Sequence, residues 1–290
     1  MQPVRAQVLS SRSLAAFSLL MGVCALSATA WPKAPTGPAT DDTLVRTEGP
    51  RDLLPLASAL RNAWREQSED MEVSLGAGLT EKARLDALAS GAIDVAFAGP
   101  GLDLSEVASR RMTAHRIGMT AVVFAVHADV TVLDLKPADL CAIFSGKVTN
   151  WAGYGGPDIP IQPVLRPESE PDTETLRGAI PCMAGLAPGR TVVVARTASD
   201  MRVALQSTSG AIGLTTLAAV KQSIVALRSL SIASVPPSPA NVLSGRYLLA
   251  RPAWMITVSP PPPSAARFIA FVGSDRGAAA ISDAGLLPLR

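Results

Sequence analysis

Arg166 stands directly after the apolar run Ile161-Gln-Pro-Val-Leu165, and a polar loop from Pro167 to Thr173 follows it. A guanidinium fixed at the end of a buried strand donates a forked pair of hydrogen bonds, the geometry that carboxylate, phosphate and sulfate oxygens accept. Asp172 and Thr173 close the loop ahead of a helix expected over 174–180, where either residue is equally a favourable N-cap with no ligand needed. Three more loops join a strand end to a helix start: Gly49–Leu53, Gly76–Glu81 and Ala98–Leu102. They contribute Arg51, Gly78 and Thr80. In open α/β sheets such loops converge on one crevice, and helix N-termini present free N–H groups with a partial positive charge. That geometry suits an oxyanion held by Arg166 and Arg51, with Asp172, Thr173, Thr80 and Gly78 in the same loops. Ordinary surface ion pairs and helix caps are the alternative use of the same side chains.

Enzyme signatures do not fit. Gly76-Ala-Gly78 has Glu81 where a dinucleotide fingerprint needs its third glycine, and Ser145-Gly146-Lys147 has Cys141 where a phosphate-binding loop needs its first. No GxSxG or HExxH segment occurs. His115 and His127 sit in strand-like surroundings with no evident partner. No catalytic residue, metal ligand or cofactor is expected, and a binding function follows. Of the three cysteines, Cys141 and Cys182 lie in the body of the chain without zinc-type spacing. In an oxidising compartment they form a disulfide, or they are two buried thiols, and the sequence supports both readings equally.

The elements that must position these residues begin after an export signal. Arg5 and Arg12 flank the apolar run Leu14–Leu26, and Ala28-Thr29-Ala30 is a small-residue cleavage site. This pattern predicts a signal peptide over 1–30, cleaved after Ala30, and a flexible leader over 31–42. Cys24 is preceded by Val23 rather than the small residue that lipid attachment prefers, so it is expected to leave with the signal. Two of the 26 basic residues are in the signal, so basic and acidic residues in the remainder are equal in number at 24. That balance, with no basic cluster, argues against a nucleic-acid partner. Hydrophobic residues make up 48% of the 290 and charged residues 17%, and no later apolar run is long enough to span a membrane.

Strand and helix patterns then alternate, which indicates an α/β chain. Strands are expected over 44–46, 71–75, 93–98, 120–126, 161–165, 192–195, 211–214 and 246–258. Helices are expected over 53–65, 81–90, 136–144, 174–180, 199–206, 264–273 and 277–283, with a proline-rich surface loop over 232–244. The order predicts lobe 1 over 43–124, lobe 2 over 125–246 and a return to lobe 1 over 247–290. The two long strands cross between the lobes as a hinge, with a ligand cleft between them.

Leu140-Cys-Ala-Ile-Phe-Ser-Gly-Lys-Val-Thr-Asn-Trp151, followed by Ile159-Pro-Ile-Gln-Pro-Val-Leu-Arg166, resembles the entry to the second lobe in phosphate-binding proteins of ABC transporters. Gly91-Ala-Ile-Asp-Val-Ala-Phe-Ala98, Gly210-Ala-Ile-Gly213, Gly245–Pro252 and Phe268–Gly273 are similar to further family segments in the same order. The resemblance implies the two-lobed type II periplasmic-binding-protein fold, a monomer, a small anionic ligand such as phosphate, and ABC permease subunits or another membrane partner. The family's R-x-x-x-S-G-T segment appears here as Arg166-Pro-Glu-Ser-Glu-Pro-Asp-Thr173, its serine-rich glycine loop as Gly78-Leu79-Thr80, and its first-lobe Ser-Asp pair as Ala98-Gly99. Carboxylates at Glu168, Glu170 and Asp172 would repel a dianion unless protonated or paired. The alternative reading is a secreted sensor or interaction module on the same scaffold, without transport-grade phosphate binding.

Overall fold

The structure is a computed structural model and describes residues 42–68 and 70–289. The expected signal peptide, its cleavage after Ala30, Cys24 and nearly all of the leader lie outside the described residues. Elements in the first part are β1 (Leu44–Gly49), α1 (Leu54–Arg65), β2 (Glu72–Ala77), α2 (Glu81–Ala89), β3 (Val95–Ala98), α3 (Leu104–Ser109) and β4 (Met112–Val126). The middle holds β5 (Asp134–Leu135), α4 (Pro137–Phe144), β6 (Gln162–Leu165), α5 (Pro171–Ala179), β7 (Val193–Val194), α6 (Ala198–Ser207), β8 (Ala211–Thr216) and α7 (Leu217–Lys221). The last part holds β9 (Arg228–Ser229), β10 (Ser231–Ile232), α8 (Pro239–Leu243), β11 (Ala250–Val258), α9 (Pro263–Val272), α10 (Asp275–Asp283) and β12 (Leu287–Pro288).

The strand order is β2-β1-β3-β11-β4-β8-β6-β7. β1 pairs in parallel with β2 and β3, and β6 in parallel with β7 and β8. β11 and β4 run antiparallel between these two groups. β4 is long enough to serve both. Met112 to Ala121 pairs with β11, and Val122 to Val126 pairs with β8. The last five residues of β4 are fully buried, as a strand covered on both faces must be.

One core gathers Val45, Leu56, Leu60, Phe97, Met255 and Phe268, with the Trp64 ring edge-on to Phe268 at 5.7 Å and to Phe271 at 5.0 Å. The other gathers Phe124, Leu140, Ile143, Phe144, Trp151, Ile212 and Tyr247, with Phe124 and Phe144 ring centres 5.5 Å apart. Each buried aromatic contributes about 2–3 kcal/mol by removal from water. Asp94 joins the first group of strands. Its carboxylate accepts from Arg46 N at 2.7 Å, Nε at 3.0 Å and Nη2 at 2.8 Å. A disulfide joins Cys141 in α4 to Cys182, just past α5, where the buried-thiol reading had left both cysteines free.

Three expectations need correction. α5 starts at Pro171, not Glu174, because proline is at home in the first turn of a helix. Its N-cap is Glu170, so neither Asp172 nor Thr173 caps it. The expected surface loop over 232–244 contains α8, which Pro239 opens and Ser238 caps, and Val242 is fully buried. The return strand begins at Ala250, not Arg246; the preceding residues enter the second core through Tyr247 and Leu249.

Candidate functional site

β6 lies between β7 and β8, and its end delivers Arg166 into a cleft of about 500 Å³. The Arg166 side chain is 10% exposed, and its Nη2 pairs with Glu170 Oε2 at 2.8 Å. Asp172, in the first turn of α5, accepts from Arg251 Nε at 2.9 Å, and Arg251 Nη1 reaches Asp52 Oδ2 at 2.8 Å. Asp52 lies in the short turn after β1, Asp172 in α5 and Arg251 in β11. The three side chains therefore bridge the two groups of strands. Burial pushes the Asp172 carboxyl above the usual aspartate range, against the pull of Arg251 and Arg166, and Glu170 adds to the rise. Ser199, Arg202, Thr215, Thr216 and Gln222 line the rest of the cleft, with Met201 and Leu214 as its apolar wall.

The other expected site residues are distributed differently. Thr173 is 4% exposed and its Oγ1 has no hydrogen-bond partner; it faces a cavity of about 20 Å³ beside Arg166 and Leu176. Thr80 caps α2 through Ala83 N at 3.3 Å and is exposed. Gly78 adopts φ 136°, which a residue with a side chain rarely takes, and forms the open turn before that cap. Arg51 is exposed in the turn where its neighbour Asp52 takes the bridge. Arg166 and Asp172 thus line one cleft, while Thr80, Gly78 and Arg51 do not line it.

Glu48 engages one amide of the loop before α2. It is 9% exposed at the end of β1, and its Oε1 accepts the Leu79 N–H at 3.1 Å. Its Oε2 occupies the space that the missing side chain of Gly76 leaves. Arg84, 6% exposed, donates to the Leu79 carbonyl at 2.5 Å. Burial lowers the Arg84 pKa, and Glu81, Glu48 and Asp52 oppose that shift. The amide offered to an oxyanion is already held by an internal carboxylate. α5 also approaches the loop after β3: a first side-chain carbon at Gly101 would stand 3.8 Å from Glu174 Oε1.

Glu48, Asp52, Arg202 and Arg251 were not singled out from the sequence as site residues, and Glu170 entered only as a carboxylate that would repel a dianion. A charged residue inside an otherwise apolar strand, as at Arg251, is the signal that points to one of them. His127 belongs elsewhere: its Nδ1 pairs with Asp129 Oδ1 at 2.7 Å, and Ser209 donates to Asp129 Oδ2 at 2.5 Å. The carboxylate sits between the serine and the imidazole, so it does not have the order in which a histidine activates a serine. Among the described residues no cluster of three or more His, Cys, Asp or Glu could hold a metal ion, and no helix is long and apolar enough to cross a membrane.

Two strand groups sharing the crossing strand β4, with a charged cleft at their junction, give the two-lobed α/β architecture of the type II periplasmic-binding-protein fold. The chain belongs to the PBP superfamily, whose domain model matches residues 34–276. It is 27% identical over 205 residues to the phosphate-binding protein PstS of Bacillus subtilis (strain 168), a match covering 69% of this chain and 65% of that protein. This chain thus spans somewhat less than two thirds of that relative. The fold is similar to that of PstS from Borrelia burgdorferi, with TM-score 0.66 and 19% identity over 86% of this chain and 99% of that one. It is equally similar to a putative phosphate ABC transporter substrate-binding protein with bound phosphate from Clostridium perfringens, with TM-score 0.66 and 20% identity over 85% of this chain and all of the other.

Proposed function

We propose that the protein is a secreted solute-binding protein, exported by a leader cleaved near Ala30, that takes a small oxyanion such as phosphate in the cleft between its lobes. It would present that ligand to ABC permease subunits or another membrane partner. Lobe 1 over 43–124 and 247–290, and lobe 2 over 125–246, are part of this reading. The observation that carries it is Arg166, nearly buried at the end of β6 and facing a cleft shared with Arg251 and Arg202. A forked guanidinium in a partly desolvated site is suited to an anion with several acceptor oxygens. The phosphate in the names of the relatives agrees with that chemistry. Ser199, Thr215 and Thr216 offer hydroxyls beside it, and the reading needs no covalent step.

The test is the melting temperature of the mature protein with and without phosphate, sulfate and an organic phosphate. A ligand that binds only the folded state adds about 2.7 kcal/mol of stability at a hundredfold excess over its dissociation constant. A rise with phosphate supports the reading, and a flat response to every anion sinks it.

A second reading, a sensor or interaction module without transport-grade phosphate binding, draws on Glu48 and the bridge at Arg251. Both place internal carboxylates on donors that an anion would need. An intact fold with no anion response selects it.

A further inference from the structure

Arg251 is 11% exposed in its side chain and holds one carboxylate from the turn after β1 and one from α5: Asp52 at 2.8 Å and Asp172 at 2.9 Å. Arg166 is likewise held by Glu170 at 2.8 Å. Around these two cations stand three carboxylates, Asp52, Asp172 and Glu170, and Arg202 of α6 lines the same cleft. A sulfate or phosphate dianion entering this cleft would stand beside Asp172 with no unengaged buried cation to offset it. Like charges at contact distance in a partly desolvated cleft repel one another strongly. A proton on Asp172 removes that repulsion and frees Arg251 for the ligand at the same time.

We propose that Asp52 and Asp172 are built-in counter-anions that determine what the cleft accepts: they hold Arg251 between the two halves, and an oxyanion reaches Arg251 only as Asp172 releases it and takes up a proton from solvent. The inference rests on the anion-binding reading above. The groups that face Asp172 are Arg251 from β11, Arg166 from the end of β6, Glu170 from the N-cap of its own helix, and Arg202 across the cleft. Asp52 stands beyond Arg251 and itself faces Arg84 of α2. Burial already favours the protonated form of Asp172. The step forms one O–H bond and exchanges one counter-anion of Arg251 for another.

Sulfate titrations of the full mature chain by calorimetry, across the pH range where carboxylates titrate and sulfate does not, decide the matter. Uptake of one proton makes the affinity rise about tenfold for each unit that pH falls, and makes the heat depend on the buffer's ionisation enthalpy. Asp172→Asn, which keeps an acceptor for Arg251, is expected to bind sulfate about tenfold or more tightly at neutral pH and to lose the slope. Asp52→Asn is expected to bind more tightly and keep the slope. Near-ultraviolet dichroism verifies that both variants are folded. Sulfate bound by the unaltered chain without proton uptake, or an unchanged slope in Asp172→Asn, overturns the proposal and leaves the anion reading standing. No sulfate binding at any pH by the unaltered chain or by Asp172→Asn overturns the proposal, and the anion reading then stands or falls on the response to phosphate.

Discussion

Trp151 donates its indole N–H to the carbonyl oxygen of Gly210 at 2.9 Å, fifty-nine residues along the chain, with the ring fully buried. The contact ties the segment after α4 to the start of β8, and so fixes the strand beside β6 that carries Arg166 at its end. Gly210 has φ 70°, and a side chain there would collide with the Pro160 carbonyl. Trp151→Phe keeps most of the packing but removes one of two donors to the Gly210 carbonyl, which also accepts the Gln162 N–H at 3.1 Å. A loss of about 1 kcal/mol in urea denaturation is expected.

Asp94 takes three donors of Arg46, from the backbone N–H and the guanidinium. Its side chain is 6% exposed, whereas that of Arg46 is 36% exposed, so solvent weakens part of the pairing. Asp94→Ala is expected to cost about 2 kcal/mol, with the backbone N–H of Arg46 left unpaired. An Asp94→Ala midpoint equal to that of the parent would show that the pair contributes nothing.

Asp172 should leave a signature in stability against pH. Its folded-state carboxyl titrates above the unfolded value, chiefly because of burial, so the folded chain binds the extra proton. Its contribution is fully present below the unfolded aspartate pKa of about 3.9 and is lost as pH rises through the folded value. Denaturation midpoints of the parent should therefore fall relative to Asp172→Asn over that rise. A constant difference between the two would refute the assignment.

The Cys141–Cys182 bond closes a span of 41 residues that includes β6 and α5. Restricting the unfolded chain in this way contributes about 4 kcal/mol on the loop-entropy account. The double variant Cys141→Ser, Cys182→Ser is expected to melt lower than the parent. Adding a reductant should lower the parent's melting temperature and leave the variant unchanged.

Arg166→Lys preserves the charge but loses the fork, and its expected effect is a drop in anion affinity of about tenfold, read by calorimetry. Arg51→Ala, at an exposed position away from the cleft, is expected to leave the affinity unchanged. Equal effects from the two would move the site away from β6.

Local patterns carried much of the architecture. The apolar spacing around Leu56, Leu60 and Trp64 marked α1, Thr80 marked the start of α2, and the run from Thr120 to Val126 marked the crossing strand. The strand expected over 44–46 continues through Thr47 and Glu48 to Gly49. Both polar residues are buried, Thr47 donating to Ser74 O at 2.7 Å and Glu48 accepting from Leu79. Polar residues whose partners come from distant strands look like a strand end when only neighbours are considered.

The cleft was legible at Arg166 and Asp172, since a strand end and a helix start are local features. Their partners were not. Asp172 meets Arg251 across 79 residues and Asp52 meets it across 199. Hydrophobic periodicity specifies which face of an element is buried, but it carries no information on which charges end up opposite one another. That pairing arises when β11 returns beside β4 and brings Arg251 between the turn after β1 and the first turn of α5. Residue types and spacing thus defined a two-lobed scaffold with an arginine at its cleft, and long-range packing set that arginine's surroundings and their balance of charge.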